Sequence, residues 1–389
     1  MAERLRIALL IDSSRSYRRG LLRGIAAYAR AYGPWSFCHH ETVLGDSLPP
    51  QLRDWGGDGI IARTRDPRLI VELKRLNLPM VGKFGSREDC DVPMIDSDQR
   101  AVVRLAVDHL QERGFRSFAY FGFDDAKFTE KHCQYFLEYV AELGGRARVY
   151  EGPPPKQVAE ISSADEIQER EGAIARWIRS LPRPVGLMAY NDRCAYQVLT
   201  ACGSQGIAVP DEVAVIGVDN DEVLCELSDP PLSSVDPNAQ RIGYETATLL
   251  HRLIRGDPPQ EGSVLVQPLG VVARESTDAV AIDDYQTAVA VRYIRRYACD
   301  GLQIKELLQN INISRSTLER RFAKYLGRSP RAEIARVQLR RVKELLTSTD
   351  FSLEKIAELA GFNYVESMCY LFKRSTGQTP GEYRESVNA

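Results

Sequence analysis

The sequence predicts an α/β body of parallel sheets followed by an all-α tail that holds two helix-turn-helix units. Three observations carry that expectation. Short β-rich runs alternate with helix-length amphipathic stretches over the first 275 residues. Charge divides unevenly: the last 105 residues hold 18 Lys/Arg against 11 Asp/Glu, a net of +7, and the rest of the chain is net −9. Third, the tail partly matches itself at a shift of 50 residues.

The elements follow in order. Residues 7–11 read as the first strand, and 18–32 as a helix with Leu21, Leu22, Ile25, Tyr28 and Ala29 on one face. Strand-like runs recur at 59–62, 80–81, 118–122, 185–190 and 213–217. Between them, 99–113 spaces Val102, Val103, Ala106 and Leu110 as a helix does, and Gly114 stops it. A β-branched run, 264–273, precedes a break at Glu275-Ser276-Thr277-Asp278. The expected division is therefore a body over 1–275, a linker over 276–284 and a tail domain over 285–389.

Composition narrows the class. At 44% hydrophobic and 27% charged, with a net charge of −2, the chain is not a disordered polyelectrolyte. No apolar run approaches the ~18–20 residues of a membrane span, so a cytoplasmic protein with no membrane partner is expected. Eight scattered cysteines without a CxxC pair read as reduced thiols packed like small hydrophobes, and no metal or cofactor is expected. His39-His40 has no third ligand nearby.

Parallel sheets bind ligands beyond the carboxyl ends of their strands. Three such ends are polar here: Asp12-Ser13-Ser14-Arg15-Ser16-Tyr17, Asn191-Asp192-Arg193 and Asp219-Asn220-Asp221. Carboxylates and amides suit vicinal hydroxyls, and an aromatic such as Tyr17 or Phe84 can cover the C–H face of a sugar. The expected ligand set is Asp12, Ser13, Arg15, Tyr17, Phe84, Asn191, Asp192, Asp219 and Asn220.

Met188-Ala189-Tyr190-Asn191-Asp192, the run from Gly206 through Asp211-Glu212-Val213 to Asp219-Asn220, and Leu232-Ser233-Ser234-Val235 form an ordered series. It resembles the effector-binding domain of lac-repressor-type regulators, which share the periplasmic sugar-binding-protein fold. The resemblance implies a two-lobed α/β sensor hinged by crossovers, one lobe over 1–121 plus 238–270 and the other over 122–237. It also implies that Asn191 and Asp219 bind hydroxyls and that the Asp12–Tyr17 loop touches the ligand. Where that family often places an Arg after the strand at 118–122, this chain has Lys131 and His132.

Each tail unit reads as two short helices, about 302–326 and 352–376. In the first, Ile304, Leu307, Leu308 and Ile311 form a stripe, Ser316–Glu319 suggests a capping box, and Leu318, Phe322 and Tyr325 or Leu326 turn inward. In the second, Ser352 caps a helix carrying Leu353, Ile356, Ala357 and Ala360, and Met368, Leu371 and Phe372 turn inward from the next. Ser329-Pro330 opens a linking helix with the stripe Ala335, Leu339, Val342, Leu346. Two such units held one duplex turn apart, ~34 Å, would enter successive major grooves of double-stranded DNA. Leu318-Glu319-Arg320-Arg321-Phe322, Gly327-Arg328-Ser329-Pro330, Gly361-Phe362 and Gly377-Gln378-Thr379-Pro380 resemble the AraC-type DNA-binding domain. That resemblance assigns Ser316, Glu319 and Arg320 of the first recognition helix and Glu366, Ser367 and Tyr370 of the second to base edges. Arg315, Arg321, Lys324, Lys373 and Arg374 are expected to touch operator phosphates.

The pairing of the two modules is similar to a family of xylose-responsive activators. It implies D-xylose or a similar sugar as effector, a homodimer, and RNA polymerase as a partner in activation. The alternative is a sugar-modifying enzyme of the same α/β pattern with a basic helical tail. No HExxH, GxSxG, Walker A or post-strand GxGxxG motif supports it, and Ser352-Leu353-Glu354-Lys355, formally SxxK, reads as a helix cap.

Overall fold

The computed structural model describes residues 4–41, 48–53, 55–64, 67–84, 92–122, 127–152, 164–258, 264–278, 284–349 and 351–388. Within them the chain forms two units, Met1–Ala279 and Val280–Ala389.

The first unit begins β1 (Leu5–Leu10), α1 (Ser16–Tyr32), β2 (Trp35–His40), α2 (Pro50–Arg53), β3 (Gly59–Thr64), α3 (Pro67–Arg75), β4 (Met80–Phe84) and β5 (Ile95–Ser97). It continues α4 (Gln99–Glu112), β6 (Ser117–Phe121), α5 (Lys127–Glu142), β7 (Arg146–Val149), α6 (Ala164–Ser180), β8 (Val185–Ala189), α7 (Asp192–Ser204) and β9 (Val213–Val218). It closes α8 (Glu222–Leu227), β10 (Ser233–Asp236), α9 (Ala239–Ile254), β11 (Val264–Val266) and β12 (Gly270–Val272). One sheet runs β2-β1-β3-β4, all parallel, with β5 and β11 paired alongside. The other runs β12-β10-β9-β8-β6-β7 and is parallel except for edge strand β12. Strands β8 and β9 are buried along their whole length, as expected where helices cover both faces.

Helix α9 returns to the first lobe and packs on α1. The two backbones meet at glycines: a Cβ on Gly24 or Gly243 would stand 2.0 Å from the Gln240 or Leu21 carbonyl oxygen. Leu21, Ile25, Ile242 and Leu250 seal that lobe's core against β1 and β3.

The lobe boundary expected near residue 121 is wrong. Strand β6 pairs with β7 and β8, so it belongs to the second lobe. Helix α4 belongs there too, because the Leu110 side chain packs on Gly186 of β8. The lobes join at three crossovers, which are laced together. Asp98 N–H donates to the Val266 carbonyl (2.9 Å), Leu269 N–H to that of Asp236 (2.9 Å), and the Asn238 amide to that of Gln267 (3.3 Å).

The second unit contains α10 (Tyr285–Tyr297), α11 (Ile304–Ile311), α12 (Arg315–Leu326), α13 (Pro330–Ser348), α14 (Leu353–Leu359), α15 (Val365–Thr376) and α16 (Pro380–Asn388). Two apolar clusters sit at either end of α13. Ile334 and Val337 join the first with Leu318 and Phe322, and Leu339, Val342 and Leu346 join the second with Met368 and Phe372. The repeat read in the sequence is physical: α12 and α15, like α13 and α16, begin 50 residues apart, and Gly327 and Gly377 end α12 and α15 at φ 65° and 80°. The cap of α12 differs from expectation. Ser314, not Ser316, accepts the Thr317 N–H (3.2 Å), so the helix starts at Arg315. Leu326 rather than Tyr325 is the inward residue.

The two halves also touch directly. Gly361 adopts φ 75°, and a Cβ there would lie 2.7 Å from the Ala298 carbonyl. The buried Gln338 amide donates to the carbonyls of both Ala298 (3.0 Å) and Gly361 (2.9 Å).

Candidate functional site

Polar side chains come from just past the carboxyl ends of β1, β8 and β9 and from within β3 and β5. From the first lobe come Arg15, Tyr17, Arg63 and Asp96. The Arg63 guanidinium lies 4.8 Å over the Tyr17 ring, and the Tyr17 hydroxyl donates to Asp96 at 3.5 Å. From the second lobe come Tyr190, Asn191 and Asp219. Burial pushes the Asp219 carboxyl up to about 7, against the opposing pull of the Arg15 and Arg63 charges from the other lobe. The Tyr17 phenol is likewise raised by burial. The strand ends thus bring one carboxylate and two guanidiniums of different lobes within electrostatic reach of each other.

The backbone at Asp219 is unusual. Asp219 has φ 108° and Asn220 φ 45°. Such left-handed positions cost roughly 1–3 kcal/mol each when a side chain is present and concentrate at functional sites.

Not every expected ligand residue is available to a ligand. Asp192 is 1% exposed; its oxygens accept from Ser234 Oγ (2.6 Å) and Asp221 N–H (2.7 Å), and its burial and the Asp219 charge hold its pKa high. It is a structural carboxyl that joins α7 to β10, and the expectation that it binds ligand is corrected on that ground. Asn220 spends its amide on Asp236 (3.4 Å) and Arg274 (3.1 Å). Asp12 pairs with Arg18 and accepts the Ser14 N–H, while Ser13 is held by Glu41. Asn191 caps α7 through Oδ1, which accepts the Cys194 N–H (2.9 Å). The side chain of Phe84 lies outside the described residues. His132 is buried against Tyr120 (2.9 Å), and Lys131 is exposed. Arg63, Asp96 and Tyr190 were not anticipated as site residues. Arg63 directly follows the strand read at 59–62 and was legible by the same strand-end rule; Asp96 sits on a strand of three residues, too short to see.

On the second unit, Arg315, Ser316, Glu319, Arg320 and Lys324 are exposed along α12, and Glu366, Ser367, Tyr370, Lys373 and Arg374 along α15. Arg315 pairs with Glu319 at 3.0 Å, and Lys324 rests 4.7 Å over the Tyr325 ring. Arg321 departs from expectation: it is half-buried and bonds Asp284 (3.0 Å) and Gln286 (2.6 Å), so it fastens α12 to α10 and is not offered to phosphate. Tyr364, 69% exposed at the start of α15, was not anticipated.

Ser352 Oγ accepts the Lys355 N–H (3.3 Å), the bond of a helix cap. His39 is hydrogen-bonded to the Ile11 carbonyl (2.7 Å), and no group of metal-ligating residues occurs among the described residues. The seven described cysteines are free, three of them buried. Among the described residues no helix is long and apolar enough to cross a membrane.

Three family models match the chain: an XylR N-terminal domain over residues 6–97, a periplasmic binding protein-like domain over 107–277 and a helix-turn-helix domain over 307–386. The xylose operon regulatory protein of Escherichia coli K12 is 32% identical over 392 residues, 98% of this chain and 97% of that protein. The protein of the same name from Haemophilus influenzae is 32% identical over 97% of this chain and 98% of its own length. The solved structure of a xylose-binding transcription activator, xylR, superposes with a TM-score of 0.80 at 31% identity, covering 99% of both chains.

Proposed function

Because this chain belongs to the family of xylose operon regulatory proteins, DNA-binding transcription regulators that respond to a sugar, we propose that its effector is D-xylose or a close pentose analogue. The observation that carries the ligand site is the buried Asp219 carboxyl of one lobe lying within reach of the Arg15 and Arg63 charges of the other. A carboxylate accepts paired hydroxyls, guanidiniums donate to the ring and anomeric oxygens, and Tyr17 supplies an apolar face. A sugar that bridges these groups holds the two lobes closed and so binds the closed form better, which is the condition for shifting the population. The chain works as a cytoplasmic homodimer whose paired α12 and α15 helices read one operator, and it activates a pentose-catabolic operon through contact with RNA polymerase. The relatives are regulators, which speaks against the enzyme alternative.

Titration calorimetry of the full chain against pentoses and hexoses tests the effector. Saturable binding of D-xylose is expected, and a chain that binds none of the pentoses refutes this reading. On the DNA side, Arg320→Ala is expected to relax the preferred sequence at one base pair by ~1–3 kcal/mol, leaving sugar binding unchanged. Selection from a random duplex library checks it; an unaltered preference removes Arg320 from the base-reading set.

A further inference from the structure

We propose that Arg274 is a positioning residue that couples the effector cleft to the chain segment leading to the DNA-binding unit. Arg274 follows β12, only ten residues before Asp284 caps α10. Its guanidinium is used in two directions. Nη2 donates to Asn220 Oδ1 (3.1 Å), the residue next to Asp219, and Nη1 donates to the Leu232 carbonyl (3.0 Å). Asn220 in turn reaches Asp236 in the second crossover (3.4 Å), so one side chain touches the cleft strand, the hinge and Arg274.

The backbone after Arg274 enters a buried clasp. Arg274 N–H donates to Ser233 Oγ (2.7 Å), and Ser276 Oγ accepts the Ser233 N–H (2.8 Å) while donating to the Val215 carbonyl of β9 (2.5 Å). Thr277 Oγ1 lies 2.7 Å from both Ser233 Oγ and His109 Nε2. Ser233, Ser276 and Thr277 are wholly buried, and Asp278 is the last described residue before the chain passes on toward α10. The first unit's final segment is therefore fixed to β9 and β10, the strands whose ends form the second lobe's side of the cleft. A change in Asp219 and Asn220 on effector binding reaches Arg274, at the start of that segment, directly through its guanidinium. Lysine could not replace it, since a single ammonium cannot serve both acceptors in a fixed fork.

A merely structural Arg274 would hold β12 to the sheet edge, and its loss would lower stability without touching coupling. The distinguishing readout is linkage, which requires the sugar to change DNA affinity by the same factor as DNA changes sugar affinity. In the full chain, DNA binding to a duplex selected by the wild type is measured with and without saturating D-xylose, and D-xylose binding with and without that duplex. The wild type is expected to show a coupling factor between about 5 and 150. Arg274→Ala is expected to keep sugar-free DNA affinity and DNA-free sugar affinity within about threefold, and to bring both coupling factors down to near 1. Arg274→Lys is expected to stay uncoupled. If Arg274→Ala misfolds, Arg274→Met replaces it, keeping most of the side-chain volume but removing the guanidinium bonds to Asn220 and Leu232, and should cut the coupling at least threefold. Wild-type coupling in the folded variant overturns the proposal. The inference rests on the effector reading above, and the two fail differently: a wild type that ignores every sugar refutes that reading, whereas a variant that still responds refutes only this one.

Discussion

Asp219→Asn is expected to weaken sugar binding by tenfold to more than a hundredfold while making the sensor unit harder to unfold at pH 8. The first effect follows from replacing a two-oxygen ionised acceptor by an amide with one, since hydrogen bonds to a charged group contribute roughly 1.5–3 kcal/mol. The second is a linkage argument. The folded pKa, about 7, lies above the ordinary carboxylate value of 3.8. Between those two values the folded state holds more protons than the unfolded state, so stability falls as pH rises through the window and the deficit is complete above it. Three units correspond to at most ~4 kcal/mol. The asparagine variant does not titrate, so its advantage should be full at pH 8 and absent near pH 4. Trp35, Trp55 and Trp177 all lie in the first unit, so tryptophan fluorescence during urea unfolding reports that unit alone. The wild-type sugar affinity should itself rise from pH 6 to about 7 and flatten above, because sugar hydroxyls bind the ionised carboxylate and expel its proton. An Asp219→Asn chain that binds sugar as tightly as the wild type removes Asp219 from the site.

How legible these features were depended on local signal. Strands β8 and β9 announced themselves as unbroken apolar runs because both faces are covered. Strand β2 did not: WSFCHH lies on a sheet edge with only Trp35 buried and lacks β-branched residues. The tail was readable almost residue by residue, since a duplicated unit repeats its glycine stops and apolar stripes. Helix α10 was missed because its core residues, Ala290, Val291 and Ile294, have no counterpart in the repeat. At the cleft, strand-end position located Asp219, Asn191 and Tyr17 but could not say which polar groups the protein had already engaged. Asp192 and Asn220 look like ligand residues in sequence. Only the fold brings Ser234, Asp221, Asp236 and Arg274 to them, from 16 to 54 positions away.

Glu333→Ala is expected to destabilise the DNA-binding unit by ~3 kcal/mol or more. Glu333 is completely buried near the start of α13, the helix that both helix-turn-helix units share. Its carboxylate accepts from Arg328 (2.5 Å) and from Arg336 (2.7 Å and 3.0 Å). Burial works to raise its pKa, but the bonds and charges of Arg336 and Arg328 prevail and hold it at about 2. The folded value lies below the ordinary 4.5, so the ionised form stabilises the fold. That contribution is fully present above pH 4.5 and is lost as pH falls toward 2, with 2.5 units corresponding to ~3 kcal/mol. Removing the carboxylate takes away the acceptor that Arg328 and Arg336 share. Each is about one-third exposed, at 32% and 31%, and can recover some hydration, which places the cost at the lower end of the ~3–5 kcal/mol typical of broken buried pairs. Because the second unit has no tryptophan, helical circular dichroism should show an earlier transition while the fluorescence transition stays in place. DNA binding should fail at lower temperature with sugar binding intact. A variant whose two transitions move together would mean the units do not unfold independently, and one in which neither moves would show that Arg328 and Arg336 do not depend on Glu333.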